Sequence, residues 1–449
     1  MKNITTSIKS KFFQSPVFIG AFWLTLSGVL SRMLGFLYRI FLSREIGAES
    51  LGLYQLVVPI FGLCISICAS GMQTAISRFV AATTGDDKKK GHAFPPIAYL
   101  YAGLTLSIIL SVLFCMLIHR FSVPISQKIL GNSDSEPLLR LMSYCLVPAS
   151  IHSCINGYYF GKKKAAVPSI CQLAEQIARV LGVYLLYLIA LDHKETISAI
   201  DAVWGMLFGE LCSSTLSITI LSISKVETSH PKDYFAAFPT LLTLAVPLTL
   251  NQALTHLSSS IENILIPQKL EEYGHSVSEA LSIYGVFSGM VVSVIFFPCV
   301  LTNSVSVMLL PAISEANAKN NTSRIAKAIT SACLYGTIAG VFFLILFSFT
   351  GNWIGTVIFE NELAGHMIRR LCFICPLLFV YSLLASVLNG LGESKNVLYI
   401  NLLASAIRIV MIFSLVPRFG MDAALWGMVI GQLFAVLAAL FVARAKASA

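Results

Sequence analysis

Residues 30–44 read LSRMLGFLYRIFLSR. They continue an apolar run that begins near Val17, so Arg32 and Arg39 fall where a helix would be crossing hydrocarbon. Guanidinium keeps its proton under all ordinary conditions. At the centre of a bilayer it costs from about 2.5 to more than 10 kcal/mol, depending on the reference state. A chain that keeps arginine at that depth turns it toward a bundle interior or an aqueous cavity. On a helical wheel of about 100° per residue, Thr25, Gly28, Ser31, Arg32, Gly35 and Arg39 gather on one face.

The rest of the chain supplies the bundle. Of 449 residues, 56% are hydrophobic and 12% charged, far more apolar than a soluble core of this length requires. About twelve stretches could span roughly 30 Å of hydrocarbon. They lie near 17–42, 52–77, 94–118, 138–160, 167–191, 200–224, 236–264, 281–312, 327–350, 364–388, 396–417 and 421–443. The strand alternation of a membrane barrel is absent, and interior prolines such as Pro59, Pro148, Pro247, Pro298 and Pro376 are tolerated in membrane helices. The expected fold class is therefore all-α integral membrane. The basic start, Lys2, Lys9 and Lys11, is followed by no A-x-A-like cleavage site, so the first span reads as retained.

Lysine and arginine set the orientation. Loops on the side of both termini carry 17 of them, among them Lys88 to Lys90 and Lys162 to Lys164, against 7 on the opposite side, Lys194 and Lys269 included, or 9 with the span-edge pair Arg369 and Arg370. Both termini are expected in the cytoplasm of a plasma-membrane protein. This asymmetry accounts for most of the net charge of +9, so no nucleic-acid partner is called for.

The chain repeats itself. Trp204-Gly-Met-x-x-Gly-Glu210 returns as Trp426-Gly-Met-x-x-Gly-Gln432, in a chain with only four tryptophans. Upstream, Gln172, Gln176 and Arg179 share their spacing with Asn401, Ser405 and Arg408. Asn156-Gly157 matches Asn389-Gly390, and Ala75-Ile-Ser-Arg78 matches Ala312-Ile-Ser-Glu315. Two six-helix lobes in the same orientation are expected: 1–224 and 236–449, joined by a cytoplasmic linker at 225–235. Their axis of pseudo-symmetry would run along the membrane normal, with a substrate cavity between them.

Ionisable residues inside spans are the candidate site. Arg32, Arg39, Arg179 and Arg408 are candidates for holding a substrate headgroup. Glu175 and Arg179, four residues apart on one helix, can pair. Arg408 has Ala404 where Glu175 would stand, so it has no local acidic partner; an acid on another helix, such as Glu210 or Glu262, could pair with it. Glu175, Glu210, Glu262 and His256 are candidates for ion pairing or for coupling to Na+ or H+. Gln172, Gln176, Asn251, Asn401 and Gln432 add polar cavity groups, while Ser258 to Ser260 read as close-packing hydroxyls. Arginine's planar fork fits phosphate oxygens bidentately, so four arginines against three glutamates favour an anionic ligand. A phosphate-binding P-loop and a D-x-D pair are missing, and an enzyme is not expected. The eleven cysteines lie almost wholly in spans, and Cys372-Phe-Ile-Cys375 lacks a second ligand pair, so neither a metal nor another cofactor is expected.

The first-span stretch SGVLSRMLGFLYRIFLSREIGAESLGLYQL, with SGMQTAISR, EQIAR and NGLGESKN, resembles the polysaccharide and lipid-linked oligosaccharide branch of the multidrug/oligosaccharidyl-lipid/polysaccharide exporter (MOP) superfamily. Within it the likeness is to the stage V sporulation protein B group and, further off, to the lipid II flippases. That resemblance implies a MATE-like fold with a cavity opening alternately to each side. It also implies an undecaprenyl-pyrophosphate-linked saccharide carried from inner to outer leaflet in cell-wall or spore-cortex assembly. Lipid-linked oligosaccharide and membrane lipids are then the partners, with an unidentified cell-wall synthase as a further one. Arg32 matches a first-helix headgroup arginine of the flippases, whereas Arg39 sits one residue further along. LVVPIFGLC lacks their second-helix arginine, and their two extra C-terminal helices have no counterpart; both departures point away from lipid II itself. A sodium- or proton-coupled exporter of organic cations is the alternative reading on the same fold.

The orientation is directly testable. A cysteine at Lys163 in a variant lacking reactive cysteines should be labelled by a membrane-impermeant maleimide only in inverted vesicles, and one at Lys194 only in intact cells; the reverse pattern would invert the topology.

Overall fold

The computed structural model describes residues 16–84, 94–224, 231–319 and 321–448. Among them every regular element is helical: α1 (Pro16–Glu45), α2 (Gly47–Ile65), α3 (Gly71–Thr84), α4 (Pro96–Pro124), α5 (Ser135–Ser143), α6 (Leu146–Gly161), α7 (Ala166–His193), α8 (Ala199–Ile223), α9 (Pro231–Tyr273), α10 (Val277–Gly285), α11 (Val292–Phe296), α12 (Cys299–Ala318), α13 (Thr322–Trp353), α14 (Glu362–Leu371), α15 (Cys375–Gly390), α16 (Ser394–Phe419) and α17 (Met421–Ser448). Twelve helical stretches are long and apolar enough to cross a membrane, and α5 with α6, bent by 41°, makes a further broken span. The chain is a multi-pass helical membrane protein. Lys2, Lys9, Lys11, Lys88 to Lys90, Lys225 and the linker's residues 225–230 lie outside the described residues.

Two expected spans differ in detail. The stretch expected at 281–312 is divided, because Pro298 has no N–H to continue an α-helical ladder. Bonds around it tighten to the i−3 pattern, Phe297 to Val294, Val300 to Phe297 and Leu301 to Pro298. The stretch expected at 138–160 is the bent pair, with the same tightening at Tyr144 and Cys145. Pro59, by contrast, stays inside α2. It cannot donate to the carbonyl of Gln55, and the buried hydroxyl of Tyr284 donates to that oxygen instead, at 3.3 Å. Lys269, expected in a loop, is buried on α9, its ammonium on Glu272 at 2.5 Å and over the Phe413 ring at 4.1 Å.

The described chain forms two compact units. One is Met1–Gly35 with Ile60–His256; the other is Phe36–Pro59 with Leu257–Ala449. α1 thus changes unit after Gly35, and α9 after His256. In the first unit the start of α9, through Ala237, Leu241 and Ala245, packs with Ile76, Tyr99 and Tyr158 of α3, α4 and α6. The second unit's core joins Ile313, Ile329, Leu384, Ile400 and Ala439 from α12, α13, α15, α16 and α17.

Repetition in the sequence becomes repetition in packing. A Cβ at Gly157 of α6 would lie 2.5 Å from the carbonyl oxygen of Gln73 on α3. At Gly390 of α15 it would lie 3.0 Å from the carbonyl of Leu310, the residue that corresponds to Gln73 in the Ala-Ile-Ser alignment. α4 and α13 both run into a π turn, Ile125–Ile129 and Ile354–Ile358. Both turns close with the same long bonds, Leu130 to Ile125 and Asn132 to Ser126 in one, Phe359 to Ile354 and Asn361 to Gly355 in the other. Each passes through a left-handed residue, Gly131 at φ 72° or Glu360 at φ 54°, before a short helix. Arg44 holds the second copy, donating to the carbonyls of Ile358 at 2.8 Å and Val357 at 2.6 Å and pairing with Glu360 at 3.4 Å.

Gly157→Ala should drive a methyl into the α3 backbone and cost about 1–3 kcal/mol, seen as a lower melting temperature in detergent. Gly28→Ala meets nothing within 4 Å and should not lower it; equal losses in both variants would contradict the packing.

Candidate functional site

In the first unit, three helices bring four ionisable groups together within apolar spans. Arg179 on α7 donates to Glu175, one turn earlier on the same helix, at 2.7 Å, and its guanidinium stands 3.8 Å from Glu210 on α8. His152 on α6 reaches the other Glu210 oxygen at 2.8 Å, and its second ring nitrogen faces the side-chain amide of Asn156 at 3.4 Å. Glycine makes the assembly possible: a Cβ at Gly209 would sit 2.9 Å from the Glu175 carbonyl oxygen and 3.3 Å from the Arg179 Cβ. Glu210 is buried.

The second unit builds the corresponding place differently. Gly431, the repeat equivalent of Gly209, faces the Ala404 carbonyl at 3.0 Å and the Arg408 side chain at 2.7 Å, measured from where its Cβ would stand. With Ala404 and Gln432 in place of the two acids, the carboxylate comes from α9. Arg408 grips Glu262 bidentately, Nε to Oε2 at 2.8 Å and Nη2 to Oε1 at 2.9 Å, and Ser405 also hydrogen-bonds that carboxylate. Beside it Tyr381 donates to Asn401. The Nε2 of Gln432 is buried without a partner.

The remaining expected residues are placed apart from these clusters. Arg39 is half-buried and donates to Ser293 at 2.6 Å; that hydroxyl in turn donates to the Gly289 carbonyl in the π turn Val286–Val291. Arg32 is exposed on α1, while Ser31 from the same expected polar face is buried. Gly35, one turn on, lies beside Gln176 of α7, 3.9 Å separating its Cβ position from the amide oxygen. His256 is exposed next to Gly62, and Gln172 and Asn251 are exposed as well. Ser260 donates to the Pro59 carbonyl at 3.0 Å, in keeping with a packing role.

Sequence reading missed His152, and it read Asn156 only as part of the repeat. The available signal was their i, i+4 spacing in the fourth expected span, immediately before Gly157. Ser293 and the capping by Arg44 left no signal, since their partners come from distant parts of the chain.

The fold is shared with solved transporters of the MOP superfamily. An inward-facing multidrug resistance MATE family transporter of that superfamily superposes with a TM-score of 0.76 over 94% of both chains, at 16% identity. The family model for polysaccharide biosynthesis proteins matches residues 17–317, and a MatE model matches 272–414. The chain belongs to the polysaccharide biosynthesis protein family. Stage V sporulation protein B of Bacillus subtilis (strain 168) is 27% identical over 93% of this chain and 82% of its own length. The lipid II flippase MurJ of the same organism is 21% identical over 94% and 81%.

Glu262→Ala should strand the Arg408 guanidinium in a mostly buried position and cost about 3 kcal/mol. Glu262→Leu combined with Arg408→Met should recover most of that loss, read as denaturation midpoints in detergent; a single variant as stable as wild type would make the pair dispensable.

Proposed function

We propose that this protein is an alternating-access flippase that carries an anionic polyprenyl-pyrophosphate-linked saccharide from the inner to the outer leaflet of the plasma membrane, in cell-wall or spore-cortex assembly. The observation that carries this reading is the pair Arg179 and Arg408. They occupy the same position in two copies of one repeat, inside apolar spans, each held by carboxylates at hydrogen-bonding distance. A carboxylate is the group that a phosphate oxygen can replace at a guanidinium without loss of geometry. Arg32, exposed on α1, and Arg39 add two further cationic groups in a span. The names of the relatives point the same way: one is a lipid II flippase, and another, 21% identical over 92% of this chain, is the capsular polysaccharide biosynthesis protein CapF of Staphylococcus aureus. Cytoplasmic termini, implied by the distribution of lysine and arginine, would set the direction. A net-anionic headgroup moving outward would also be favoured by an inside-negative potential, worth about 2.3 kcal/mol per charge per 100 mV.

The test is transbilayer movement of a fluorescent undecaprenyl-pyrophosphate disaccharide in liposomes holding the purified protein. Wild type should move it and Arg32→Ala should slow the movement at least about tenfold, a loss of about 1.4 kcal/mol of headgroup attraction. Well-folded wild type that moves a cationic dye under a sodium or proton gradient, and not the lipid, would overturn the proposal.

A further inference from the structure

The two arginine clusters match in place and differ in charge. In the second unit Glu262 cancels Arg408, and Gln432 is neutral. In the first, Glu175 and Glu210 both face Arg179. With a neutral imidazole at His152 that cluster would carry one uncompensated negative charge inside apolar spans, where such a charge is costly.

One further positive charge is therefore called for, and two sources are at hand. His152, Glu175 and Glu210 present ligand atoms all within 4.8 Å of one another, close enough to hold a metal ion. Arg179 argues against a divalent ion, because it contacts both carboxylates and would be repelled by the metal, leaving the cluster with a net positive charge. A single proton instead brings the sum to zero. The hydrogen bonds around His152 suit it. Nε2 already faces the Glu210 carboxylate at 2.8 Å, an acceptor for an N–H in either charge state. Nδ1 faces the Asn156 amide, whose Oδ1 is buried without a partner. With its NH2 toward the ring, that amide donates to neutral imidazole. Turned over about its last bond, it presents Oδ1 and accepts from the protonated ring. Asn156 thus accommodates both charge states without losing the bond to His152.

Among the described residues, the other polar groups of the neighbouring helices are neutral, engaged elsewhere or exposed. Cys145, before α6, and Cys171, on α7, are the thiols within electrostatic reach, and Gln172 and Gln176 on α7 are neutral. His119 on α4 is engaged by Ser143 and Tyr144, while Arg78 on α3 and Arg120 on α4 are exposed. Arg32 on α1 is exposed too.

We propose that His152, Glu175, Arg179 and Glu210 form a proton-binding site linked to anion binding: the resting cluster holds one proton, and when Arg179 turns from the carboxylates to a pyrophosphate headgroup, a second proton from the aqueous phase replaces the guanidinium as counter-charge. This inference rests on the anionic-headgroup reading above. Linkage makes it reciprocal, so a cluster that has taken up the second proton releases Arg179 and binds the headgroup more tightly. The second unit, whose arginine has a single bidentate acid and no histidine, is a static clasp by the same count.

The experiment is calorimetric titration of the purified protein in detergent with geranylgeranyl pyrophosphate, in two buffers of different ionisation enthalpy. Wild type should take up about one proton per ligand beyond the ligand's own titration, and its Kd should fall about tenfold for each unit of falling pH. The double variant Glu175→Gln, Glu210→Gln supplies the reference: it should bind the ligand with no such uptake. Should that variant fail to fold, the pH dependence of the wild-type Kd decides alone. Binding with no proton uptake, with proton release, or with uptake preserved in Arg179→Gln would overturn the proton site. Failure of folded wild type to bind the pyrophosphate at all would instead overturn the headgroup reading on which it stands.

Discussion

The constraint on which the rest depends is that a guanidinium inside an apolar span must have its charge answered by a carboxylate or an anionic ligand. Arg179 and Arg408 meet it in different ways. Arg179 draws one acid from its own helix and a second from α8, whereas Arg408 reaches to α9. Neither arrangement would close without glycine on the neighbouring helix, because a side chain at Gly209 or Gly431 would occupy the space of the arginine stem and the backbone beneath it. The second glycine of the Gly-x-x-x-Gly spacing in the Trp-Gly-Met repeat is thus a packing requirement of the charged site.

Duplication followed by divergence explains why the two places look alike and behave differently. The shared frame, a glycine seating an arginine-bearing helix, is kept in both copies. The acids are not: Glu175 and Glu210 become Ala404 and Gln432, and Glu262 replaces them from outside that frame. A bidentate pair such as Arg408 with Glu262, assisted by Ser405, satisfies both partners. One guanidinium between two carboxylates and an imidazole can adopt more than one charge distribution. That freedom is what a transported anion would exploit, because it lets the counter-ion change without stranding a charge.

The same economy appears in the backbone. Where Pro59 removes a donor, a tyrosine hydroxyl from another segment takes the vacated carbonyl; where a π turn ends at Ile358, Arg44 collects the open carbonyls. Around the buried Gln55 carbonyl there is no water to perform this task, so a side chain far away in sequence performs it. The segments Phe36–Pro59 and Leu257–Ala449 belong to one compact unit in part for this reason.

Hydropathy and period made the helical membrane fold legible, because a span needs about 20 apolar residues whatever it packs against. The internal repeat was equally legible, since tryptophan and glycine at fixed spacing survive where their neighbours change. The local pair Glu175 and Arg179 followed from i, i+4 spacing alone. What required the tertiary structure was every partner set by distance: Glu262 for Arg408, His152 for Glu210, Ser293 for Arg39, and the tyrosine that rescues Gln55. The break at Pro298 and the changes of unit within α1 and α9 belong with these. Such features depend on which helix faces which, and a helix's own sequence states only that it has a polar face, not what will meet it.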